Sequence, residues 1–381
     1  MNIGLISGFG WGQITTSIHT TASHLRNLGY EVYIFFECSE FSEGLGIDSD
    51  LFSNSGFHLI NISSNVSSQN KKRSFKWKNI EVIDVNFASL ILDLGIFFDV
   101  LVGFDPKGLV RCSLVNSFQK CKIIYFSLEI HDESHRLKTY ELYHCKYADI
   151  IITQDKFRAQ ILSKLNNYPF ERIFHVYNTT IGKPIPQGST FLRDTLNISH
   201  EKAILLTPGS IMRSHGLHEL LHLASDCENK IALVFHGWIP YRNDQTLLDN
   251  VRRRYPDVVY HAKDLYSHEE KYKVHSSADV GFIFYEPRDI NFKYAAWASG
   301  KFFDFMRCGI PVLCKNILNA ESLILDNKVG LLYSNPEEII PKVLQLSKKK
   351  IYFTNNCHEA FEKYSFCKSF NLAWKSLNLR T

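Results

Sequence analysis

Lys301 and Asp304 stand three apart in "SGKFFDFMRCGIPVLC" (299–314), so a helix here sets an ammonium and a carboxylate on one face of its first turn. Phe302, Phe303, Phe305 and Met306 suit a buried helix, Gly309 its stop and Pro311 the entry to a strand. Ser299 is placed to cap the helix, and Ser299, Gly300 and Lys301 together offer a hydroxyl, backbone amides and an ammonium to an anion. A second loop, "TPGSIMRSHGLHELL", combines Gly209 and Ser210 with the cationic candidates Arg213 and His215, and Gly216 opens its helix. Taken together, the loops suggest a diphosphate held between two helix N-termini, with Asp304 accepting from a ribose diol. Taken singly, each also fits a plain strand-turn-helix junction, and the lysine and acid fit a solvated cation and a dipole-favoured acid.

Three other stretches carry candidate chemistry. "IIYFSLEIHDESH" ends a strand with Glu129, His131 and Asp132, where Glu129 or His131 could orient a sugar or take a proton from a hydroxyl. His131 and His135 lack a third ligand at metal spacing, so no metal is expected. "GFGWGQ" gives G-x-G-x-G rather than the dinucleotide fingerprint, which leaves Gly10 and Gly12 for close backbone approach to a sugar or diphosphate. "NKKRSFKWKN" (70–79) reads either as a solvated loop or as a peripheral contact with anionic lipid headgroups.

Parallel sheets would position these residues. "NIGLISG", a glycine turn, apolar residues at helical spacing and "GYEVYIFF" make a βαβ opening, and "DVLVGF", "KIIYFSLE" and "ADIIIT" continue it. Prolines, glycines and hydroxyl residues over 179–199 read as a linker, after which strands and helices alternate afresh from "AILLTPG". The expected organisation is a first Rossmann-like domain over 1–178, a second over 200–355, and a final helix over 356–381 crossing back to the first. Such α/β sheets hold ligands beyond the carboxyl ends of their strands, here across a cleft. A chain of 381 residues, 45% hydrophobic and 22% charged, fits two soluble globular domains. A net charge of +4 is too weak to argue for nucleic acid. Nine cysteines with no C-x-x-C pair indicate free thiols in a reducing cytoplasm. No signal peptide is read, because "MNIGLISGFG" has no basic n-region and glycine interrupts its apolar run, and no spanning helix, because Asp93 and Asp99 interrupt the oiliest run.

With these residues in place, the chain resembles the GT-B glycosyltransferases, in particular the group 1 type of glycosyltransferase family 4. "LLTPGSIMRSHGLHELL" and "SADVGFIFYEPRDINFKYAAWASGKFFDFMRCGIPVLC" match the two motifs of its nucleotide-sugar domain, and "YADIIITQDKFRAQIL" and "HVYN" match the end of its acceptor domain. The resemblance implies that Lys301 meets donor phosphate and that Asp304 replaces the usual ribose-binding glutamate. Ser210 stands where many relatives have arginine and His215 where they have lysine or arginine, so Arg213 takes over the diphosphate charge. The first acid of the E-x7-E motif falls at Ala296. "NFKYAAWASGK", from Asn291, is similar to the Asn…Tyr-Ala-x-x-x-Lys arrangement of some relatives. The implied activity is cofactor-free, metal-independent transfer of a sugar from a nucleoside-diphosphate sugar to a glycan or lipid-linked acceptor, with retention favoured. Bacterial surface polysaccharide synthesis, such as lipopolysaccharide, in the cytoplasm or at the inner membrane face, is the implied setting. The alternatives are a non-catalytic nucleotide-binding partner subunit and a sugar-nucleotide epimerase of the same fold.

Overall fold

Apolar runs too short for buried helices and bounded by glycine or polar residues form the strands. The computed structural model describes residues 1–7, 16–36, 57–62, 76–77, 80–227, 230–264, 266 and 270–379. It divides into two compact units, one of residues 1–181 with 366–381 and one of 182–365.

In the first unit the strands are β1 (Asn2–Ser7), β2 (Glu31–Phe36), β3 (His58–Asn61), β4 (Lys76–Trp77), β5 (Ile80–Glu81), β6 (Val100–Phe104), β7 (Lys122–Phe126), β8 (Ile150–Thr153) and β9 (Ile173–His175). Apart from the small antiparallel β4–β5 pair they make one parallel sheet in the order β3-β2-β1-β6-β7-β8-β9. Alternate residues serve opposite faces. Ile3, Leu5, Val100 and Val102 pack with Ile18, Ala22 and Leu25 of the Thr16–Asn27 helix. Leu101, Ile123, Tyr125 and Ile151 pack on the other side with Leu109, Cys112 and Val115 of the Asp105–Gln119 helix. In the second unit β10 (Ala203–Pro208), β11 (Ile231–His236), β12 (Val259–Ala262), β13 (Val280–Ile283), β14 (Val312–Lys315) and β15 (Gly330–Tyr333) form a parallel sheet in the order β12-β11-β10-β13-β14-β15.

Both sheets reverse their winding once, between β1 and β6 and between β10 and β13. In doubly wound sheets these are the places where neighbouring loops diverge and leave room for a ligand.

Two boundaries depart from the sequence reading. The stretch read as a linker over 179–199 contains a helix, Phe191–Leu196, whose Leu192 amide donates to Ser277 Oγ at 3.3 Å. The final helix is broken at Tyr364 and Ser365. Lys350–Lys363 stays in the second unit, while Phe366–Lys375 belongs to the first. Phe366, Phe370 and Trp374 recur every fourth residue, so they form one stripe that packs into the first unit's core. Their rings stack at 5.3 and 5.9 Å, and full burial of such a side chain stabilises by about 1.5 to 3 kcal/mol. Among the described residues no helix is long and apolar enough to cross a membrane.

Candidate functional site

The switch point of the second sheet gathers most of the predicted residues. Gly209 follows β10 with φ +96°, a conformation that suits glycine, and Gly237 follows β11 with φ +132°. A β-carbon on Gly237 would stand 2.1 Å from the Gly209 carbonyl oxygen, so the two turns pass in backbone contact. The Gly209 amide donates to the His236 carbonyl at 2.9 Å, and the Ile211 amide to that of Trp238 at 2.9 Å, which extends the ladder into the loop. Lys301 reaches this turn from the Gly300–Arg307 helix: a β-carbon on Gly209 would meet its Cε at 3.0 Å and its Nζ at 3.3 Å. Two loops ninety residues apart in sequence thus share one place.

Lys301 carries a charge that nothing nearby balances. Its ammonium lies 5.7 Å from the centre of the Tyr285 ring and has no hydrogen-bond or ion-pair partner among the described residues. Burial pushes its pKa down to about 8, since removing an ammonium from water disfavours the charged form. The amides around it are also uncapped. Ser299 occupies the N-cap position, but its hydroxyl shares a 2.7 Å hydrogen bond with the Tyr285 hydroxyl and none with the helix. The expected Ser299 cap is therefore corrected: Tyr285 takes the hydroxyl, and the first amides of the helix have no side-chain acceptor.

His215 also differs from its expected role. Its Nδ1 lies 2.9 Å from both the carbonyl and the hydroxyl oxygen of Ser210, and its ring stacks on Phe292 and meets Tyr285 edge-on. Burial, followed by the nearby Lys301 charge, pushes its pKa down to about 3. It is a neutral ring at physiological pH, so its task is to brace the Ser210 turn and not to supply positive charge. Arg213, exposed and with no partner among the described residues, remains the mobile-length cation of this loop. Asn291 lies in the short Ile290–Lys293 helix, which Asp289 caps by accepting from the Phe292 amide at 2.9 Å. That helix carries Phe292 against His215. Ala296 is buried in the following turn of helix.

Asp304 does not face the turn as an open carboxylate. One oxygen accepts from Lys271 Nζ at 2.8 Å and the other from the Tyr272 hydroxyl at 3.0 Å. Burial works to raise its pKa, but Lys271 and His275 outweigh it and hold the group below the usual carboxylate range. The expected ribose contact is thus not met by this geometry, because the acid ties its own helix to Lys271–His275. Sequence reasoning missed Tyr285, Lys271, Tyr272 and Gly237. Of these only Gly237, after the apolar run "IALVF", carried a local signal.

The first unit presents its candidates on one braced turn. The Leu128 and Glu129 amides donate to Asp105 Oδ1 at 2.9 and 3.1 Å. Gln154 Nε2 donates to the Ser127 and Leu128 carbonyls, and Arg158 Nη2 to that of Leu128 at 2.7 Å. Glu129 is 54% exposed, with Arg158 3.8 Å away. His131 is buried and stacked on His135 at 4.2 Å, and its Nε2 has no hydrogen-bond partner among the described residues. Burial, then His135 and Lys138, push its pKa down to about 4, so it meets neutral pH as an acceptor and not as a group poised to exchange protons there. No three His, Cys, Asp or Glu side chains among the described residues come together as metal ligands would. Gly10 and Gly12, and all of 70–79 except the backbone of 76–77, lie outside the described residues.

Solved structures share this architecture over nearly the whole chain. HepE from Anabaena in complex with UDP superposes with a TM-score of 0.71 at 12% identity, covering 99% of this chain and 100% of that one. A glycosyltransferase from Rickettsia africae gives 0.67 at 12% identity, covering 100% and 99%. WaaG, a glycosyltransferase involved in lipopolysaccharide biosynthesis, gives 0.60 at 13% identity, covering 96% and 97%. The fold is therefore α/β of the GT-B type, with two Rossmann-like units. No protein-family model and no curated protein matches the chain.

Proposed function

We propose that this protein is a glycosyltransferase that moves a sugar from a nucleoside-diphosphate sugar to a hydroxyl of a glycan or lipid-linked acceptor. The observation that carries this reading is the Lys301 ammonium at the Gly209 turn, without a hydrogen-bond or ion-pair partner among the described residues and beside helix amides that none of their side chains caps. Such a place is short of one anion, and a diphosphate supplies charge and acceptors together. Lys301, the Gly300 and Lys301 amides, the Gly209–Ser210 turn and Arg213 then stabilise the departing diphosphate as its charge develops, without a divalent cation. Glu129 and neutral His131 handle the acceptor hydroxyl, His131 as a hydrogen-bond acceptor that orients it and Glu129 as the carboxylate that takes its proton as the new glycosidic bond forms.

Neighbours of the same fold support the donor class, since HepE has been solved with UDP and with UDP-glucose. WaaG and the lipopolysaccharide galactosyltransferase WaaB give surface polysaccharide synthesis as the finer reading. Retention at the anomeric carbon belongs to the same reading, and the product anomer, read by NMR, tests it. Ala296, where the E-x7-E motif has its first acid, favours a second reading as a nucleotide-binding subunit without transfer. The decisive experiment screens nucleotide sugars by thermal shift, with and without EDTA, and follows the binders for release of nucleoside diphosphate. A rise in melting temperature with EDTA present, followed by release and transfer, supports the enzyme. Binding without release from any donor or acceptor offered selects the subunit reading. No shift with any nucleoside diphosphate overturns both.

A further inference from the structure

The first sheet has a switch point of its own, and Asp105 occupies it. Phe104, the last residue of β6, is in register with Ser7 of β1 on one side and Phe126 of β7 on the other. Asp105 is therefore the first residue beyond the carboxyl edge, where the winding reverses. Its backbone has φ +57°, a left-handed conformation sparsely used by residues with a β-carbon. The turn cannot relax out of it easily, because a β-carbon on Gly108 would stand 2.5 Å from the Ile6 carbonyl oxygen and one on Gly103 would stand 2.6 Å from the Gly108 carbonyl carbon. Two bare backbones are pressed together there, and the carboxyl is delivered to one spot.

An aspartate at a helix start ordinarily accepts from amides of its own helix. The Asp105 side chain turns away from its helix, and Oδ1 accepts from Leu128 and Glu129. It is only 1% exposed and forms no ion pair among the described residues. Gln154 and Arg158 hold the carbonyl side of the same turn, so Asp105 supplies the amide side. A buried carboxyl without a cation is a costly way to brace a loop, and strained, desolvated groups of this kind concentrate where geometry serves a reaction.

We propose that Asp105 is a positioning residue for the transfer reaction, its carboxyl pinning the Leu128–Glu129 turn in the conformation that presents Glu129 and His131. This rests on the reading of those two residues given above. The groups acting on Asp105 are Glu129 from the turn it holds and Glu141 from the Lys138–His144 helix, the latter paired with Lys138 at 2.9 Å. The Tyr125 hydroxyl of β7 donates to the same Glu141, and the Arg158 guanidinium lies beyond the turn at the Leu128 carbonyl. Burial first and then Glu129 push Asp105 up to about 8, against the pull of the two amides, so at neutral pH the group is a protonated acid. Oδ1 then serves as a carbonyl acceptor, a role that asparagine can copy.

The full-length protein with Asp105→Gly and with Asp105→Asn tests this. Glycine adopts φ +57° without strain, so its loss of function reads the carboxyl and not the backbone. In Asp105→Gly, hydrogen exchange at the Leu128 and Glu129 amides should speed up by about tenfold or more, and turnover should fall by about tenfold with the affinity for UDP unchanged. Asp105→Asn should restore both to within about threefold of the parent. Unchanged exchange at the two amides in the glycine variant overturns the inference. So does a loss of UDP affinity equal to the loss of turnover, or an asparagine variant as poor as glycine. If His131→Ala and Glu129→Gln keep full turnover, the parent reading of those residues falls. If they lose it while Asp105→Gly keeps it, the present inference alone falls.

Discussion

The two switch points hold desolvated groups of opposite charge type, one half-buried and one buried. At the second sheet, Lys301 is a desolvated base with no acid beside it, and burial brings its pKa down to about 8. At the first, Asp105 is a desolvated acid with no cation beside it, and burial brings its pKa up to about 8. One cause acts on both, yet the hydrogen bonding differs. The acid already accepts two amides, so its edge is complete as it stands. The ammonium donates to nothing among the described residues, which is why the proposed function gives this edge an anion from outside. A group whose hydrogen bonds are met within the fold can brace a turn, whereas one left without a partner is open to a ligand, and the proposed function assigns the first to acceptor chemistry and the second to the donor.

The largest effect should come from the neighbour that obeys the opposite rule to Lys301. Lys271 is paired with a buried carboxylate, and Asp304→Asn leaves its charge uncompensated. Loss of about 3 kcal/mol of stability in urea unfolding is expected, toward the low end for a buried pair because both side chains keep some exposure. Adding Lys271→Met should recover most of it. Asp304 has a depressed folded pKa, so its stabilisation is present above the unfolded value of 3.8 and is lost as pH falls through the lower folded one. The acid limb of the wild-type stability curve should therefore flatten in the double variant. A stable Asp304→Asn protein with weakened nucleoside binding would return the residue to the ribose.

Next in size is the unpaired cation itself. Lys301→Ala should weaken nucleoside-diphosphate binding by about 1.5 to 3 kcal/mol, roughly 10- to 150-fold, and leave the nucleoside almost unaffected. Titration calorimetry with UDP and uridine measures both. Equal losses would remove Lys301 from the phosphate.

How much of this contrast the sequence revealed depends on the range of the interactions. Glycine followed by a helix, with a lysine at another helix start, is a local pattern, so Gly209 and Lys301 were legible as residue types before any contact was known. The apolar runs, buried on both faces, likewise announced the parallel sheets. The protonation of His215 was not legible, because it follows from Phe292, Tyr285 and Lys301, all seventy or more residues away. The pairing of Asp304 was not legible for the same reason: its partner Lys271 lies 33 residues earlier on another helix. Asp105 went unremarked because a positive φ and a buried carboxyl leave no mark in "GFDPKG". The break at Tyr364–Ser365 was hidden because helical periodicity continues on both sides of it.

The two displaced pKa values also make opposite slopes in stability against pH. Asp105 has a raised folded pKa, so its contribution is fully present below the unfolded value of 3.8 and is lost as pH climbs toward about 8. Lys301 has a depressed folded pKa, so its contribution is present above the unfolded value of 10.5 and is lost as pH falls through about 8. Asp105→Asn should remove the decline below pH 8, and Lys301→Met the rise above it, each without touching the other. Bound diphosphate should raise the Lys301 pKa, so calorimetry near pH 9 in buffers of different ionisation enthalpy should show proton uptake that Lys301→Met abolishes. Uptake that persists in that variant would assign the linked proton to another group.

The smallest effect tests why the lysine's helix is left open to a ligand. Ser299 and Tyr285 share one 2.7 Å hydrogen bond, and the serine makes none to the helix it precedes. Ser299→Ala should therefore cost about 1 kcal/mol beside Tyr285 and much less in a Tyr285→Phe background, because the bond the two share cannot be lost twice. A capping serine would behave differently. Its alanine variant would cost a similar amount through fraying of the first turn, but Tyr285→Phe would add its own cost on top, and exchange at the Lys301 and Phe302 amides would speed up in the serine variant alone. Additive losses with local fraying would make Ser299 a cap and close the amides to an incoming anion. Non-additive losses with unchanged exchange keep those amides available, and with them the asymmetry between a sheet edge whose acid is already hydrogen-bonded and one whose lysine and helix amides are open to the proposed diphosphate.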